Sequence, residues 1–401
     1  MKIIHTADWH IGKILHKQEL NEEIRLFFDW LEAYIMTENP DLLLISGDIF
    51  DMANPSNKDQ ELYYSMLNRL SKTGIETIIT GGNHDSVSLL NAPESILKNM
   101  KIHVLGGVNE DIKNHIIPVY KDNKLSCIIL AIPYLREKDL KNVETADKSD
   151  PDADKVSLAV QGYYDRCTAL ARKLYGSDVP VIAMGHLFMR GSLTSESERD
   201  IHVGNLQGIE SKYIHPDIAY LALGHIHKPQ RIGGNERIRY SGSPVYLDFS
   251  EIRYPKQVVI IQIEQGKLTI QPMPIPKFRE LLRLSGTYSE VSAALDTFTN
   301  QYPLKAFVEL DITEPGFSLE VQQQLDDLME VNHAQYKIIK RKMSMGNKDN
   351  LLVNNLIQYE RMEEMTPLRM LEILLEDEGL DEVLVAEIVK QYSEIIESMH
   401  D

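Results

Sequence analysis

Two periods alternate along the chain. Short apolar runs with β-branched residues read as strands, and apolar residues at three- and four-residue spacing read as helices. Lys2 to Thr6 is a first strand. Ile24, Phe27, Phe28, Leu31 and Tyr34 mark a helix that ends near Asn39-Pro40, because the residue before proline disfavours helical angles. Asp41 to Ser46 follows as a strand, and its continuous run Leu42-Leu43-Leu44-Ile45 suits a strand buried on both faces of a parallel sheet. A helix through Leu62, Tyr63, Met66, Leu67 and Leu70 leads to a third strand, Ile75 to Thr80. The result is a βαβαβ pattern, the hallmark of an α/β core. Pro93 belongs in the first turn of a helix with Ile96 and Leu97. Further strands are expected at Ser126 to Ile132, Val179 to Met184 and Ile218 to Leu223, with a helix from Val160 to Leu174 and an exposed loop from Leu140 to Asp154. The strands Arg237 to Tyr240, Gln257 to Ile263 and Lys267 to Gln271 are expected to be antiparallel.

Beyond these the pattern changes. Pro272, Pro274 and Pro276 mark a linker, so a first domain is expected over 1–275. A β-α-β-α-β unit over 276–345 reads as a small separate α+β domain. A second linker, Gly346 to Asn350, precedes a helical tail over 346–401, with Thr366 and Pro367 at a helix start, Gly379 at its stop, and an apolar stripe from Val385 to Met399.

Composition narrows the classes. A chain of 401 residues, 43% hydrophobic, can bury a large core. No apolar run approaches the roughly 18 residues of a membrane span. The first residues read as a strand and not as a signal peptide. Cys127 and Cys167 lie in apolar patterns and suit a reduced, cytoplasmic protein. The net charge of −18 argues against a surface that binds nucleic acid as a whole, so such binding must rest on a local site.

The chemistry sits at the strand ends. Asp8 and His10 follow the first strand, Gly47-Asp48 the second, and Gly81-Gly82-Asn83-His84-Asp85 the third. Gly185-His186 and Gly224-His225-Ile226-His227 end two later strands. Ligands of α/β sheets bind at such carboxyl ends. In an extended segment, Asp8 and His10 would face one side. Asp51 reads either as a turn cap or as a residue supporting the ligands. Mixed His, Asp and Asn suit manganese, iron or zinc. Seven ligands exceed the needs of one ion and imply two, bridged by a carboxylate. Such a pair can clamp both oxygens of an in-line phosphoryl displacement. No Gly-x-Ser-x-Gly elbow or Gly-x-x-x-x-Gly-Lys loop is present, which argues against a serine hydrolase or an ATPase.

Taken together, Asp8-x-His10, Gly47-Asp48-x-x-Asp51, Gly82-Asn83-His84-Asp85, Gly185-His186 and Gly224-His225-x-His227 resemble the motifs of the calcineurin-like metallophosphoesterases. Within that superfamily the layout is similar to the DNA-nuclease subunits that work with an SMC-like ATPase. The resemblance implies an αββα sandwich with two divalent ions, usually Mn2+, between the sheets. It implies that Asp8, His10, Asp48 and His227 hold one ion, and that Asp48, Asn83, His186 and His225 hold the other. His84 would be a non-ligating catalytic residue that orients the phosphodiester or protonates the leaving oxygen, itself oriented by Asp85. Residues near 277–345 would cap and guide DNA, with Lys337, Lys340, Arg341 and Lys342 either touching phosphate or forming a solvated strand edge. The tail helices would dock on the coiled-coil base of the partner ATPase, or else cover their own domain. Early helices would form a homodimer within a heterotetramer. The activity so implied is 3′–5′ cleavage of duplex DNA ends and cutting of single strands or hairpins. A phosphatase or small-molecule phosphodiesterase on the same fold, and a non-catalytic DNA-end scaffold, are the competing expectations.

Overall fold

Strand order follows from where the continuous apolar runs must go. The structure, a computed structural model, describes residues 1–140, 155–198, 208–314, 319–331, 333–345, 388–389 and 391–392. A six-stranded sheet takes the order Lys267–Pro274, Gln257–Glu264, Lys2–Thr6, Leu42–Ser46, Glu76–Thr80, Ile102–Leu105. Its last four strands are parallel, with Ile4 opposite Leu43 and Leu44 opposite Ile78. Leu42 through Ser46 are all buried, as a central parallel strand requires. A second six-stranded sheet has the order Gln230–Ile232, Asn235–Tyr240, Ile218–Gly224, Val181–His186, Lys124–Ala131, Ile116–Lys121.

The two sheets stack face to face. Ile3, Leu44, Ile78 and Ile261 of the first share one apolar layer with Ile129, Ile182, Met184 and Ala222 of the second. The outer face of the first sheet is covered by helices Asn21–Glu38 and Asn57–Thr73, through Ile24, Phe27, Leu31, Tyr63 and Met66. The outer face of the second is covered by Lys155–Tyr175, through Val160, Tyr164 and Cys167. This is the expected αββα sandwich. Helix ends follow local chemistry: Ser56 caps Asn57–Thr73 in a reciprocal box with Asp59, and Asn39 closes Asn21–Glu38 in the left-handed region at φ 46°.

Two expectations change. Asn235–Tyr240 runs parallel to Ile218–Gly224, not antiparallel. The chain first crosses to the outer strand Gln230–Ile232, turns at Gly233-Gly234 and comes back between the two, so the hairpin partner is 230–232. The strands Gln257–Glu264 and Lys267–Pro274 are antiparallel as expected. Pro272 and Pro274 lie within Lys267–Pro274 and not in a linker. That strand is at the sheet edge, where a missing N–H costs no ladder bond.

The chain divides into two compact units. The first, Met1–Leu284 with Thr297–Leu310 and Met329–Lys340, contains the sandwich. It runs past the break expected at residue 275 because Arg279 is buried and ion-pairs with Glu23 of the first helix, its guanidinium 3.9 Å from the Phe307 ring centre. Strands Arg279–Gly286, Leu304–Glu314 and Tyr336–Met345 hydrogen-bond in that order. The second unit is Ser285–Asp296, Asp311–Leu328 and Arg341–Asp401; in its described part Arg341 pairs with Asp326 at 2.5 Å. Most of the loop expected at 140–154, the linker at Gly346 and the tail features at Thr366, Pro367, Gly379 and Val385 to Met399 lie outside the described residues, apart from helical positions at 388–389 and 391–392.

Candidate metal centre

The turns that follow the strands hold one another. The Asp8 N–H donates to the Gly47 carbonyl at 3.0 Å, and the His10 N–H to that of Asp48 at 3.0 Å. Neither Asp8 nor His10 is extended: both sit in the left-handed region, at φ 54° and 46°, as does Asp48 at 50°. His225 stands at φ 101°. Four side chains with a Cβ in backbone conformations that favour glycine mark a site where the surrounding packing overrides local preference. Between Asp8 and His10, the Trp9 ring is buried against Phe27 and Phe28, which anchors the turn.

The glycines explain how the loops fit. A Cβ on Gly82 would lie 2.1 Å from Asp48 Oδ1, and one on Gly224 would lie 1.8 Å from the Ser46 carbonyl oxygen. Only bare backbone allows these strand ends to close.

All seven expected ligands converge. Ligand atoms of Asp8, His10 and His227 lie within 4.8 Å of one another, as do those of Asp48, His186 and His225. Asn83 Oδ1 is 2.9 Å from His186 Nε2, and His186 Nε2 is 3.2 Å from Asp48 Oδ2. Asp48 is also 3.6 Å from His10 Nε2, so it stands between the two groups. Every one of these carboxylates and imidazoles is buried.

Their electrostatics is that of a cation site. Burial pushes the Asp8 carboxyl up to about 7. Burial would also raise Asp48, but His186, His10 and His84 hold it well below the usual carboxylate range. Burial alone would depress His186; the charges of Asp48 and Asp8 keep it up at about 9, so a proton there takes the place of a cation. His225 is pushed far down by burial and by His186.

Hydrogen bonding tests the fit further. His10 Nδ1 lies 3.1 Å from Asp51 Oδ1, which also takes Lys13 Nζ at 3.2 Å. A carboxylate only accepts, so the neutral His10 ring carries its proton on Nδ1. His227 Nδ1 is 2.6 Å from Ser197 Oγ, and Ser197 Oγ is in close contact with Glu251. The Ser197 hydroxyl donates to Glu251, so it accepts from His227 Nδ1–H. Both Nε2 atoms then present lone pairs, and they face each other at 3.0 Å. Two lone pairs at that separation repel unless a cation lies against them. Asp8 Oδ2, buried beside them, has no hydrogen-bond partner among the described residues. The donor set therefore fits divalent metal.

His84 and Asp85 behave differently from the expectation. His84 Nδ1 donates to the Asp51 carbonyl at 2.7 Å, and its Nε2 is 3.9 Å from Asp48 Oδ2. Asp85, expected to orient His84, accepts instead from the N–H groups of Ile49, Phe50 and Gly82 at 3.1, 3.0 and 2.8 Å. It ties the loop after Leu42–Ser46 to the loop after Glu76–Thr80. Burial and the Asp48 charge raise its carboxyl to about 6. Asp51 is more than a turn cap, since it orients His10 by its side chain and His84 by its carbonyl.

The basic strand is already engaged. Lys337 donates to Gln18 at 2.8 Å, Lys340 pairs with Glu309 at 2.7 Å, and Arg341 pairs with Asp326. Lys342 is exposed. Sequence reasoning passed over Glu251, Ser197 and Lys256, because no spacing motif connects residues so far apart.

This geometry has counterparts. The family model described as Calcineurin-like phosphoesterase matches residues 1–229, and the SbcD C-terminal model, described as Type 5 capsule protein repressor C-terminal domain, matches 277–379. A protein of Rhodobacter capsulatus, named as the SbcD component of the nuclease SbcCD, is 34% identical over 308 residues, 74% of this chain and 75% of that one. The chain belongs to the SbcD branch of the calcineurin-like phosphoesterases. The Escherichia coli K12 relative of the same name is 29% identical over 386 residues, 95% of this chain and 94% of its own. That of Bacillus subtilis is 29% identical over 362 residues, 83% and 90% of the two chains. The SbcD likeness thus extends through the C-terminal strands as well as the sandwich. Among the described residues no helix is long and apolar enough to cross a membrane.

Proposed function

We propose that this calcineurin-like phosphoesterase is the nuclease subunit of an SbcCD-type complex: a metal-dependent hydrolase of DNA phosphodiester bonds, cutting duplex ends 3′ to 5′ and opening single strands or hairpins during end processing, repair and recombination. The facing Nε2 atoms of His10 and His227, with the unpartnered Asp8 oxygen beside them, carry this reading. Asp8, His10, Asp48 and His227 would hold one divalent ion, and Asp48, Asn83, His186 and His225 the other; the mixed set suits manganese, iron or zinc, and of these the family resemblance favours manganese. Such a pair, when bound, lowers the pKa of water towards roughly 7 and neutralises charge on the reacting phosphate.

The remaining roles belong to the chain. Because the His84 Nδ1 proton is held by the Asp51 carbonyl, its Nε2 is the nitrogen turned towards the ligands. Protonated, that nitrogen hands its proton to the leaving oxygen. Asp85 keeps the two loops in register.

The partners belong to the same reading. A coiled-coil ATPase of the SbcC type would take the tail helices, a second copy of the chain would pair through the early helices, and the assembly would work in the cytoplasm on nucleoid DNA. The 277–345 region would guide DNA, with Lys337 and Lys342 exposed on its basic strand. Incubation with manganese and end-labelled duplex is the test, alongside bis(4-nitrophenyl) phosphate and a phosphomonoester. Cleavage of duplex and diester is expected; turnover of the monoester alone would replace the nuclease by a phosphatase. His84→Gln is expected to keep two manganese ions and lose about 10²- to 10⁴-fold in turnover. Loss of metal in that variant would make His84 a ligand.

A further inference from the structure

Behind His227 lies a polar cluster that the ligand set does not include. Glu251 is 0% and Lys256 2% exposed, and their side chains meet at 2.6 Å. The Glu251 carboxylate also accepts from the Leu247 N–H at 3.0 Å, from the Ser197 hydroxyl, and lies 3.3 Å from His227 Nδ1. Lys256 donates in addition to Ser243 Oγ at 2.7 Å and to the His227 carbonyl at 3.3 Å. The pair therefore grips His227 by its ring and by its backbone.

A full ion pair beneath one imidazole is costly to bury, and apolar side chains of similar volume commonly fill such a space at no loss of stability. It recurs on a smaller scale behind His10, where Asp51 and Lys13 make the same arrangement. His186, by contrast, sets its Nδ1 3.1 Å from a peptide oxygen, that of Ser46. An imidazole whose far N–H meets a carboxylate is the more basic donor, and its orientation is held more firmly.

We propose that Glu251, ion-paired to Lys256 and relayed through Ser197, is a positioning residue that fixes the His227 ring with Nε2 as donor, making the cation site of Asp8, His10 and His227 the tighter of the two. The inference rests on the paired-ion reading above. Glu251 touches no substrate; it acts through His227. The carboxylate keeps the Ser197 hydroxyl turned towards itself, so the serine oxygen can only accept from His227. With an amide in place of the carboxylate, the serine can turn and donate to Nδ1. The ring then adopts the other tautomer, with N–H at the metal face.

The test is manganese binding to the full-length chain stripped of metal, followed by calorimetry and by electron paramagnetic resonance. The wild type is expected to take up two ions and to show an exchange-coupled pair. Glu251→Gln is expected to weaken one of the two binding events by about 10- to 100-fold, leave the other in place, and lose the coupled signal at limiting metal. Because Glu251→Gln strands the Lys256 charge, the double variant Glu251→Gln/Lys256→Met is measured beside it, with a thermal melt of each. The inference stands if the double variant melts like the wild type and still binds one ion weakly. It is overturned if the double variant regains two tight ions, since the pair would then serve packing alone, or if Glu251→Gln binds as the wild type does. A wild type that takes up a single ion would sink the paired-ion reading itself, and this inference with it.

Discussion

His5 shows how burial, helped by the Arg239 charge, turns one residue into a pH-sensitive element. It lies between the sheets, 0% exposed, its Nδ1 3.0 Å from the Tyr220 hydroxyl. Burial lowers its imidazole from 6.5 to about 3. An unfolded chain takes up a proton at this position below 6.5, while the native state does so only near 3. The native state binds fewer protons in that window, so stability falls as pH drops through it. Relative to His5→Gln, the wild type is expected to lose up to about 1.4 kcal/mol per pH unit between those limits, read by urea unfolding. Parallel stability curves for the two proteins would show that His5 is not buried neutral. At the same scale the seven candidate ligands that the fold gathers were legible in the sequence, because each follows a strand in a short polar motif. The supporting residues were not. Glu251 meets His227 only because Asp248 to Arg253 folds as a short turn beside the site, and the sequence between them carries no spacing that encodes it.

At the scale of elements, strand ends do the work that no side chain does alone. The loops after Lys2–Thr6, Leu42–Ser46, Glu76–Thr80 and Ile218–Gly224 interlock by main-chain bonds and by the absence of Cβ atoms. Gly224→Ala would drive a methyl into the Ser46 carbonyl at 1.8 Å and to within 2.9 Å of His186 Nδ1. A forced overlap in a packed interior costs about 1–3 kcal/mol. The variant is expected to lose that stability in urea titration and to bind fewer than two manganese ions, since the strand end carries His225 and His227. Unchanged stoichiometry would mean that the loops tolerate separation. The longer α-helices and most strands were readable from apolar periodicity, while the short helices Val87–Asn91 and Glu137–Leu140 were not. The direction of Asn235–Tyr240 was not, because a strand that first visits the sheet edge and returns has the same local pattern as one that simply reverses.

Over the whole molecule, a buried ion pair joins distant parts of the chain. Arg279 is 6% exposed and pairs with Glu23, whose carboxyl is raised by burial, a rise that the guanidinium partly offsets. Arg279→Ala leaves that carboxylate buried without its partner, a loss of about 3–5 kcal/mol. The expected result is a lower urea midpoint with diester hydrolysis at the metal centre retained in the folded fraction. A variant as stable as the wild type would show that the first unit does not depend on this join. Apolar periodicity and turn chemistry are local, so the sequence by itself determined an α/β core and the identity of the groups at the strand ends, while the two-sheet sandwich was implied by the resemblance of those motifs to a family. The division at Leu284 instead of near residue 275, the engagement of the basic strand by Gln18, Glu309 and Asp326, and the Glu251–Lys256 pair behind His227 were decided only by tertiary structure. Each is a contact between residues remote along the chain, and the energy of a buried charge depends on which partner the fold brings within hydrogen-bonding distance.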